Sequence, residues 1–330
     1  MKPIQFYKIY SKLKSKSLNS GKWVDGMYMK ELENKIAEYL KVKHVILTSN
    51  GTTALLAAYW VLKKDFSELN VDPYTFPATY QPARVLGYKV NYSRSILTKE
   101  GRLPTSGLRA VVHLFGQPNK DVLNESNNCI EDACQSFGAE IDGKKVGTIG
   151  RIGCYSFYPT KSLHTCGHGG AIVTNNDTDY REMKIFVECG RENGKMTDSM
   201  ALNLRMDEVK AEYLLSELEN YDERMLVQHQ IAREFAKLIP TPQPFLNEDK
   251  GDRHIYSVCN LLVNDRDKFR EFMSQKGIET IVYYGPDILP STEREKYNDL
   301  TSRIVAIPCR WNLTDSEIKR IKLALSEWFK

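Results

Sequence analysis

The sequence predicts an α/β fold: a large layered domain with a mostly parallel sheet, then a smaller C-terminal α+β domain. Three observations predict it. Short apolar runs alternate with helix-period segments up to about residue 200, the pattern of helices packed on both faces of a parallel sheet. A turn-rich shift, "PTPQPFLNEDKGD" (240–252), separates that part from a shorter set of elements. The polar residues that could carry chemistry fall at or just past strand ends, where open α/β sheets hold their ligands. The expected division is 1–222 and 223–330, with the boundary inside or just after a long helical stretch.

The elements follow in chain order. "MKELENKIAEYLKV" (29–42) places apolar residues at helical spacing with charges between them. "HVILTS" (44–49) is a short buried strand, and "NGTTALLAAYWVLKK" turns on a glycine straight into an apolar helix. "RAVVHLFG" (109–116) is a strand ending in glycine, and "NCIEDACQSFGA" (128–139) contains a strand ending in acids. "GRIGCYSFY" (150–158) and "GAIVTN" (170–175) form a strand pair around a loop that carries Lys161. Residues 206–238 hold neither proline nor glycine and predict one long helical stretch. Beyond the turn-rich segment come "IYSVCNLLV", the helix "RDKFREFMSQKG", the strand "IETIVYY" and the helix "TDSEIKRIKLALSEWF".

Composition narrows the function classes. With 42% hydrophobic residues in 330, the chain buries a large core. No apolar run reaches the ~20 residues that span a bilayer, so no membrane association is expected. "MKPIQFYKIYSKLKSK" is basic but has neither an apolar core nor a small-residue cleavage site, so it is expected to be mature protein with a solvated face. The cysteines (Cys129, Cys134, Cys154, Cys166, Cys189, Cys259, Cys309) are scattered, odd in number and never spaced as CxxC. That argues against zinc and disulfide frameworks and fits a reducing, cytoplasmic compartment. Net charge is +4 with acids and bases mixed, so nucleic acid is not an expected partner.

"TSNGTTAL" (48–55) runs from a strand through a glycine turn into a helix start. Free N–H groups and the helix dipole suit an anion there, and Thr52 and Thr53 add hydroxyls. An ordinary capped helix start uses the same residue types, and no Lys-Ser/Thr follows the glycine as a P-loop requires. In "IEDACQSFGAEIDG", Asp132 ends an apolar strand and Gln135 follows it. A buried carboxylate is costly without a positive partner; a pyridinium nitrogen is one, and a loop start at the sheet rim is the plainer alternative. Phe76, in "VDPYTFPATYQPARVLGYKV" (71–90), follows a strand end, where an aromatic either lies flat on a heterocycle or fills core. Lys161 stands between an aromatic strand and paired glycines in "SFYPTKSLHTCGHGG" (156–170), five residues after Ser156. A lone lysine is more often a solvated surface residue. Together, however, a phosphate cradle, an aromatic platform, an acid for a ring nitrogen and one amine nucleophile are what pyridoxal 5'-phosphate requires. That cofactor is an electron sink, and a lysine forms its Schiff base.

In their order these motifs carry a resemblance. The chain is similar to the nucleotide-sugar aminotransferases of the DegT/StrS family, fold type I pyridoxal-phosphate enzymes related in architecture to aspartate aminotransferase. The likeness covers nearly the whole chain. "GKWVDGMYMKELENKIAEYLKVKHVILTSNGTTAL", "TFPAT", "IEDACQSFGA", "SFYPTK" with "GHGGAIVTN", and "LNLRMDEVKAEYLLSEL" follow in family order; "IVYYGPDILP" and "IPCRWNLTDSEI" match more loosely. The resemblance implies that Lys161 is the Schiff-base lysine and proton carrier. It implies Asp132 against the pyridinium nitrogen, Gln135 at the phenolic oxygen, Phe76 stacked on the ring, and Thr52, Thr53 and Ser156 on the phosphate. It also implies a homodimer with shared sites, in which Asn203 reaches the neighbouring subunit's phosphate, and an Arg205 that binds a carboxylate or the sugar nucleotide.

Two positions depart from the family pattern. His168 stands where an acid is usual, and Tyr283 where a histidine is usual. The chain is also shorter than most members. These departures fall on the substrate side and leave the cofactor set intact. The implied reaction moves an amino group from glutamate to a keto-sugar nucleotide, giving an amino sugar. The spacing from Lys161 to the glycine pair, and "NLRMDE", resemble members that aminate C-3, which points to a 3-keto-6-deoxy-hexose. A family subgroup with histidine in place of the lysine dehydrates its substrate. A dehydratase or other non-transaminating member is the alternative that Lys161 weighs against. A cofactor-binding regulator conflicts with the filled reactive positions, and an ATP- or NAD-binding protein with the missing Walker and GxGxxG patterns.

Overall fold

The structure, a computed structural model, describes residues 15–94 and 102–330; the first fourteen residues of the basic N-terminal stretch lie outside them. Its central sheet comprises β1 (His44–Thr48), β2 (Glu68–Val71), β3 (Lys89–Tyr92), β4 (Leu108–Val112), β5 (Cys129–Asp132), β6 (Ile152–Ser156) and β7 (Gly170–Thr174). The strand order is β1-β7-β6-β5-β4-β2-β3. Strands β2 to β6 pair in parallel. In this sheet only β7 is reversed, antiparallel to both β6 and β1.

The strands are short and apolar because both faces of the sheet are covered. The covering helices are α1 (Met27–Leu40), α2 (Gly51–Leu62), α3 (Asp177–Val187) and α4 (Glu208–Leu218). Side chains alternate along β1. Val45 and Leu47 join a core with Leu32 and Ile36 of α1 and Leu214 of α4, while Ile46 joins a second core with Leu55 of α2 and Phe186 of α3. Helix α1 buries Met29, Leu32, Ile36 and Leu40, the stripe its sequence carries. Its N-cap, Gly26, supplies no capping side chain. Glu208 supplies the cap from α4: its carboxylate accepts the amides of Gly26, Tyr28 and Met29 at 3.1, 2.6 and 3.3 Å. An anion there satisfies orphan donors at the positive end of the helix dipole.

The C-terminal part pairs β8 (Cys259–Leu262) antiparallel with β9 (Ile304–Ile307). With α5 (Tyr221–Ala236), α6 (Arg266–Gln275) and α7 (Asp315–Trp328), they enclose a separate core that includes Phe235, Leu261, Phe269, Val305 and Ile321. Helix α7 opens on a capping box between Thr314 and Glu317. A largely aromatic cluster of Tyr74, Phe115, Phe245 and Tyr297 joins this part to the large sheet. Among the described residues no helix is long and apolar enough to cross a membrane.

Three expectations are corrected. Residues 206–238 form two helices, α4 and α5, interrupted at Asn220 (φ −114°, ψ 22°). The cause is tertiary: the buried Tyr221 hydroxyl donates to the Phe137 carbonyl and pairs with Ser162, which ties the start of α5 to the large sheet. The strand expected over 109–116 stops at Val112, because Phe115 takes a left-handed backbone (φ 59°). The β-rich "IETIVYY" makes a single bridge, Ile281 to Ala306, before Tyr284 also turns left-handed (φ 66°). Tyr284 lines the site described next, and the Phe115 amide holds a residue of it, Gln135.

Candidate active site

Strand register brings several strand ends to one edge of the sheet. Thr48 and Ser156 both pair with Gly170, while Asp132 pairs with Val112 and Cys154. A cavity of about 770 Å³ opens at this edge.

The N-terminus of α2 forms one wall. Asn50 Oδ1 accepts from the Thr53 amide (2.9 Å), and the Thr53 hydroxyl accepts from the Asn50 amide (3.2 Å) and donates to the Asn50 carbonyl (2.8 Å). Thr53 is thus committed to the cap. The amides of Gly51 and Thr52 lie in the first turn, where no helical carbonyl reaches them. The Thr52 and Ser156 side chains line the same wall. This donor set suits a phosphate. Position 51 requires glycine, since a Cβ would come within 2.9 Å of both Cys134 Sγ and Ser156 Cβ. A Cβ on Gly170 would come within 2.5 Å of the Asn50 carbonyl, so the helix start sits directly against β6 and β7.

Asp132 lies deeper, 5% exposed. Its Oδ2 accepts from the Thr79 hydroxyl (2.7 Å) and its Oδ1 from the Cys134 amide (3.1 Å). Both are neutral donors, which leaves the carboxylate's charge available to a cation in the cavity. The loop after β6 is closed by Phe157 N donating to Gly169 O (2.8 Å) and Thr165 N donating to Phe157 O (2.9 Å), and it is plugged into the core by Leu163. Between these anchors Lys161 lines the cavity. Burial pushes its amine below the usual lysine range, against the raising influence of Cys134 and Asp132.

Phe76 lines the cavity with 53% of its surface exposed, so it is not a core phenylalanine. Gln135 accepts at Oε1 from the Phe115 amide (2.8 Å) and donates from Nε2 to the Tyr284 hydroxyl. His168 and Tyr283 also line the cavity, and the His168 ring lies 5.3 Å from that of Tyr158. Asn203 and Arg205 are not among the lining residues. Asn203 is exposed and accepts from Arg205 Nε at 3.1 Å, while the Arg205 guanidinium pairs with Asp25.

The cavity also holds residues that sequence reasoning does not single out: Thr79, Cys134, Tyr158, Ser257 and Tyr284. Thr79 carries a faint signal, one turn after Phe76 in "TFPAT", and Tyr284 adjoins Tyr283. Ser257 carries none.

The sequence profile of the DegT/DnrJ/EryC1/StrS aminotransferase family matches residues 10–94 and 110–326. The UDP-2-acetamido-2-deoxy-3-oxo-D-glucuronate aminotransferase of Pseudomonas aeruginosa is 26% identical over 335 residues, covering 94% of this chain and 93% of that protein. A DegT DnrJ EryC1 StrS aminotransferase from Brucella abortus matches in structure with a TM-score of 0.86 at 24% identity, over 99% of this chain and 97% of that one. NtdA of Bacillus subtilis, solved with bound cofactor PMP, matches with a TM-score of 0.80 at 22% identity, over 99% of this chain and 81% of that one.

The fold is the fold type I architecture that these solved structures share, and its cavity carries Lys161. The chain belongs to the DegT/DnrJ/EryC1/StrS aminotransferase family. The family's cofactor, pyridoxal 5'-phosphate, fits the residues present: unclaimed amides and hydroxyls for its phosphate, a carboxylate held by neutral donors for its ring nitrogen, and one buried amine.

Proposed function

We propose that this aminotransferase moves an amino group from glutamate to a keto-sugar nucleotide. The observation that carries the reading is a half-buried lysine, Lys161, whose proton affinity desolvation lowers and which shares one cavity with Asp132 and the first turn of α2. The Pseudomonas relative is named for a UDP-linked 3-oxo sugar, which supports amination at C-3. The dehydrating subgroup lacks the lysine, so Lys161 favours transfer over dehydration.

Bound in the cavity, the cofactor supplies an electron sink for the carbon that carries the transferred nitrogen. The Gly51 and Thr52 amides, with the Thr52 and Ser156 hydroxyls, would hold its phosphate, and Thr53 would serve by fixing the cap. Asp132, oriented by Thr79 and the Cys134 amide, would meet the ring nitrogen. Phe76 would cover one ring face and Gln135 would meet the phenolic oxygen. Lys161 would anchor the group and would carry a proton at Nζ to and from the substrate carbon. Its lowered proton affinity favours the neutral amine that a general base needs. His168 and Tyr283, which line the cavity, would meet the sugar.

Asn203 and Arg205, outside the cavity of their own chain, are assigned to a second copy: Asn203 to the partner's phosphate and Arg205 to a carboxylate or the nucleotide. The active unit is then a homodimer with shared sites. The large and small domains are assigned to 1–222 and 223–330, and the unpaired cysteines support a cytoplasmic location.

The enzyme is incubated with glutamate and with dTDP-, UDP- or GDP-linked keto-sugars. One pair is expected to release 2-oxoglutarate in step with amino sugar. A sugar product formed without glutamate overturns the reading in favour of dehydration. Mixing inactive Lys161→Ala chains with inactive Asn203→Ala chains is expected to restore part of the activity; none after verified subunit exchange overturns the shared site.

A further inference from the structure

Two non-glycine residues with left-handed backbones, Phe115 (φ 59°) and Tyr284 (φ 66°), grip the same side chain. Phe115 donates its amide to Gln135 Oε1 at 2.8 Å, and the Tyr284 hydroxyl accepts from Gln135 Nε2. Such conformations are uncommon and persist where the surroundings over-determine them. The grip also fixes which end of the carboxamide is which. A backbone N–H must face an oxygen, so Oε1 faces Phe115 and the amide nitrogen faces Tyr284 and the cavity. A carboxamide nitrogen has two hydrogens. Tyr284 takes one, which leaves one donor on a side chain that lines the cavity.

Tyr284 is itself held firmly. Its carbonyl accepts from the Tyr74 hydroxyl at 3.1 Å. Its ring lies 5.4 Å from that of Phe115 and 6.4 Å from that of Phe76. It therefore touches two of the groups assigned to the cofactor ring, Gln135 and Phe76, while belonging to the C-terminal segment.

We propose that Tyr284 is a positioning residue: its hydroxyl locks the Gln135 carboxamide so that the remaining N–H is presented to the cofactor's ring oxygen. This rests on the assignment of Gln135 to that oxygen. Such an N–H favours the anionic form of the oxygen, and with it the deprotonated form of the bound chromophore. Losing the lock lets the carboxamide rotate and weakens the donor. The other titratable groups on the cavity are Asp132, Cys134, Tyr158, Lys161, His168 and Tyr283, of which Asp132, Cys134 and Tyr283 interact electrostatically with Tyr284.

Tyr284→Phe keeps the ring and removes the hydroxyl. The readout is the pH midpoint of the holoenzyme's visible absorption band, measured for wild type, Tyr284→Phe, Gln135→Ala and the double variant. Both single variants are expected to raise the midpoint, by about one pH unit for the loss of one charge-assisted hydrogen bond. The double variant is expected to match Gln135→Ala, because the tyrosine acts through the glutamine. A raised midpoint for Gln135→Ala with none for Tyr284→Phe overturns the proposal and leaves the Gln135 assignment standing. No shift for Gln135→Ala removes the assignment and the proposal together. A lowered apoprotein melting temperature in Tyr284→Phe with an unmoved midpoint shows a merely structural tyrosine and also overturns it.

Discussion

The two walls of the cavity are built by different means. One wall, residues 50–53, 132–135 and 156–161, takes its positions from regular structure: a helix cap, a strand end and a loop closed by backbone hydrogen bonds. The other, residues 257–258 and 283–284, comes from irregular chain with a single bridge, a left-handed tyrosine and a Ser257 hydroxyl that has no hydrogen-bond partner among the described residues. The difference teaches where each task sits. On the proposed function, the residues assigned to the cofactor's phosphate and ring nitrogen lie on the rigid wall, while Tyr283, assigned to the sugar, lies on the wall that folds without a regular template.

The comparison breaks first at Lys161. On the proposed function, Lys161→Ala is expected to lower turnover by about 10⁴-fold or more, since it would remove both the nucleophile and the general base. Far-UV circular dichroism should be unchanged. Turnover near the wild-type rate would return Lys161 to the solvated surface lysines.

Neighbouring acids sharpen it next. Glu131 and Asp132 are adjacent on β5 and so point to opposite faces of the sheet. Glu131 is fully buried, accepts the amides of Gly147, Ile149 and Gly150, and pairs with His113 Nε2 at 2.9 Å. Glu131→Ala orphans those donors and is expected to cost about 3–5 kcal/mol in denaturant unfolding. Asp132→Asn keeps the shape and neutral hydrogen bonding, so its effect should fall on cofactor affinity and rate. A stability loss from Asp132→Asn as large as that from Glu131→Ala would erase the distinction.

Much of the rigid wall was legible in the sequence, and the reason is local. The cap in "SNGTT", the acid ending β5 and the lysine before paired glycines each follow from short-range rules, and the structure brings them to one cavity. Thr53 shows the limit: its sequence suits either a cap or an anion, and its bonds to Asn50 commit it to the cap. The other wall was legible only at Tyr283. Tyr284 and the break before Tyr221 depend on partners far along the chain, Gln135 and Phe137, and no periodicity encodes them.

The substrate wall is expected to answer in specificity. Tyr283→His, which restores the family's usual residue, should change kcat/KM for the keto-sugar nucleotide by about 10–100-fold, the range of a single contact in a binding pocket. The glutamate half-reaction, followed by 2-oxoglutarate release in a single turnover, should keep its rate. Equal changes in both half-reactions would place Tyr283 with the chemistry instead. On the rigid wall, Gly51→Ala forces a Cβ to within 2.9 Å of Cys134 Sγ and Ser156 Cβ and is expected to cost about 1–3 kcal/mol of stability. It should also weaken phosphate binding at the α2 start, measured as the cofactor's Kd. An unchanged Kd would separate that helix start from the cofactor.

The smallest effect concerns what the rigid wall gives up in stability to hold its chemistry. Burial lowers the proton affinity of Lys161, so its charged form is disfavoured in the folded apoprotein relative to the unfolded chain. The sign follows from proton counting. Between the lowered folded pKa and the unfolded value of about 10.4, the unfolded chain binds more protons, so wild-type stability rises with pH through that window. Below it, both states are protonated and the folded apoprotein bears the full cost of a buried cation. Lys161→Met removes the charge and keeps an unbranched apolar chain. The Lys161→Met apoprotein should therefore melt above wild type at neutral pH, and its advantage should shrink as pH climbs toward about 10.4. Melting curves of both apoproteins across that range decide it. A wild-type apoprotein as stable as the variant at every pH would mean that the amine is already solvated, and the cavity would then offer no buried base.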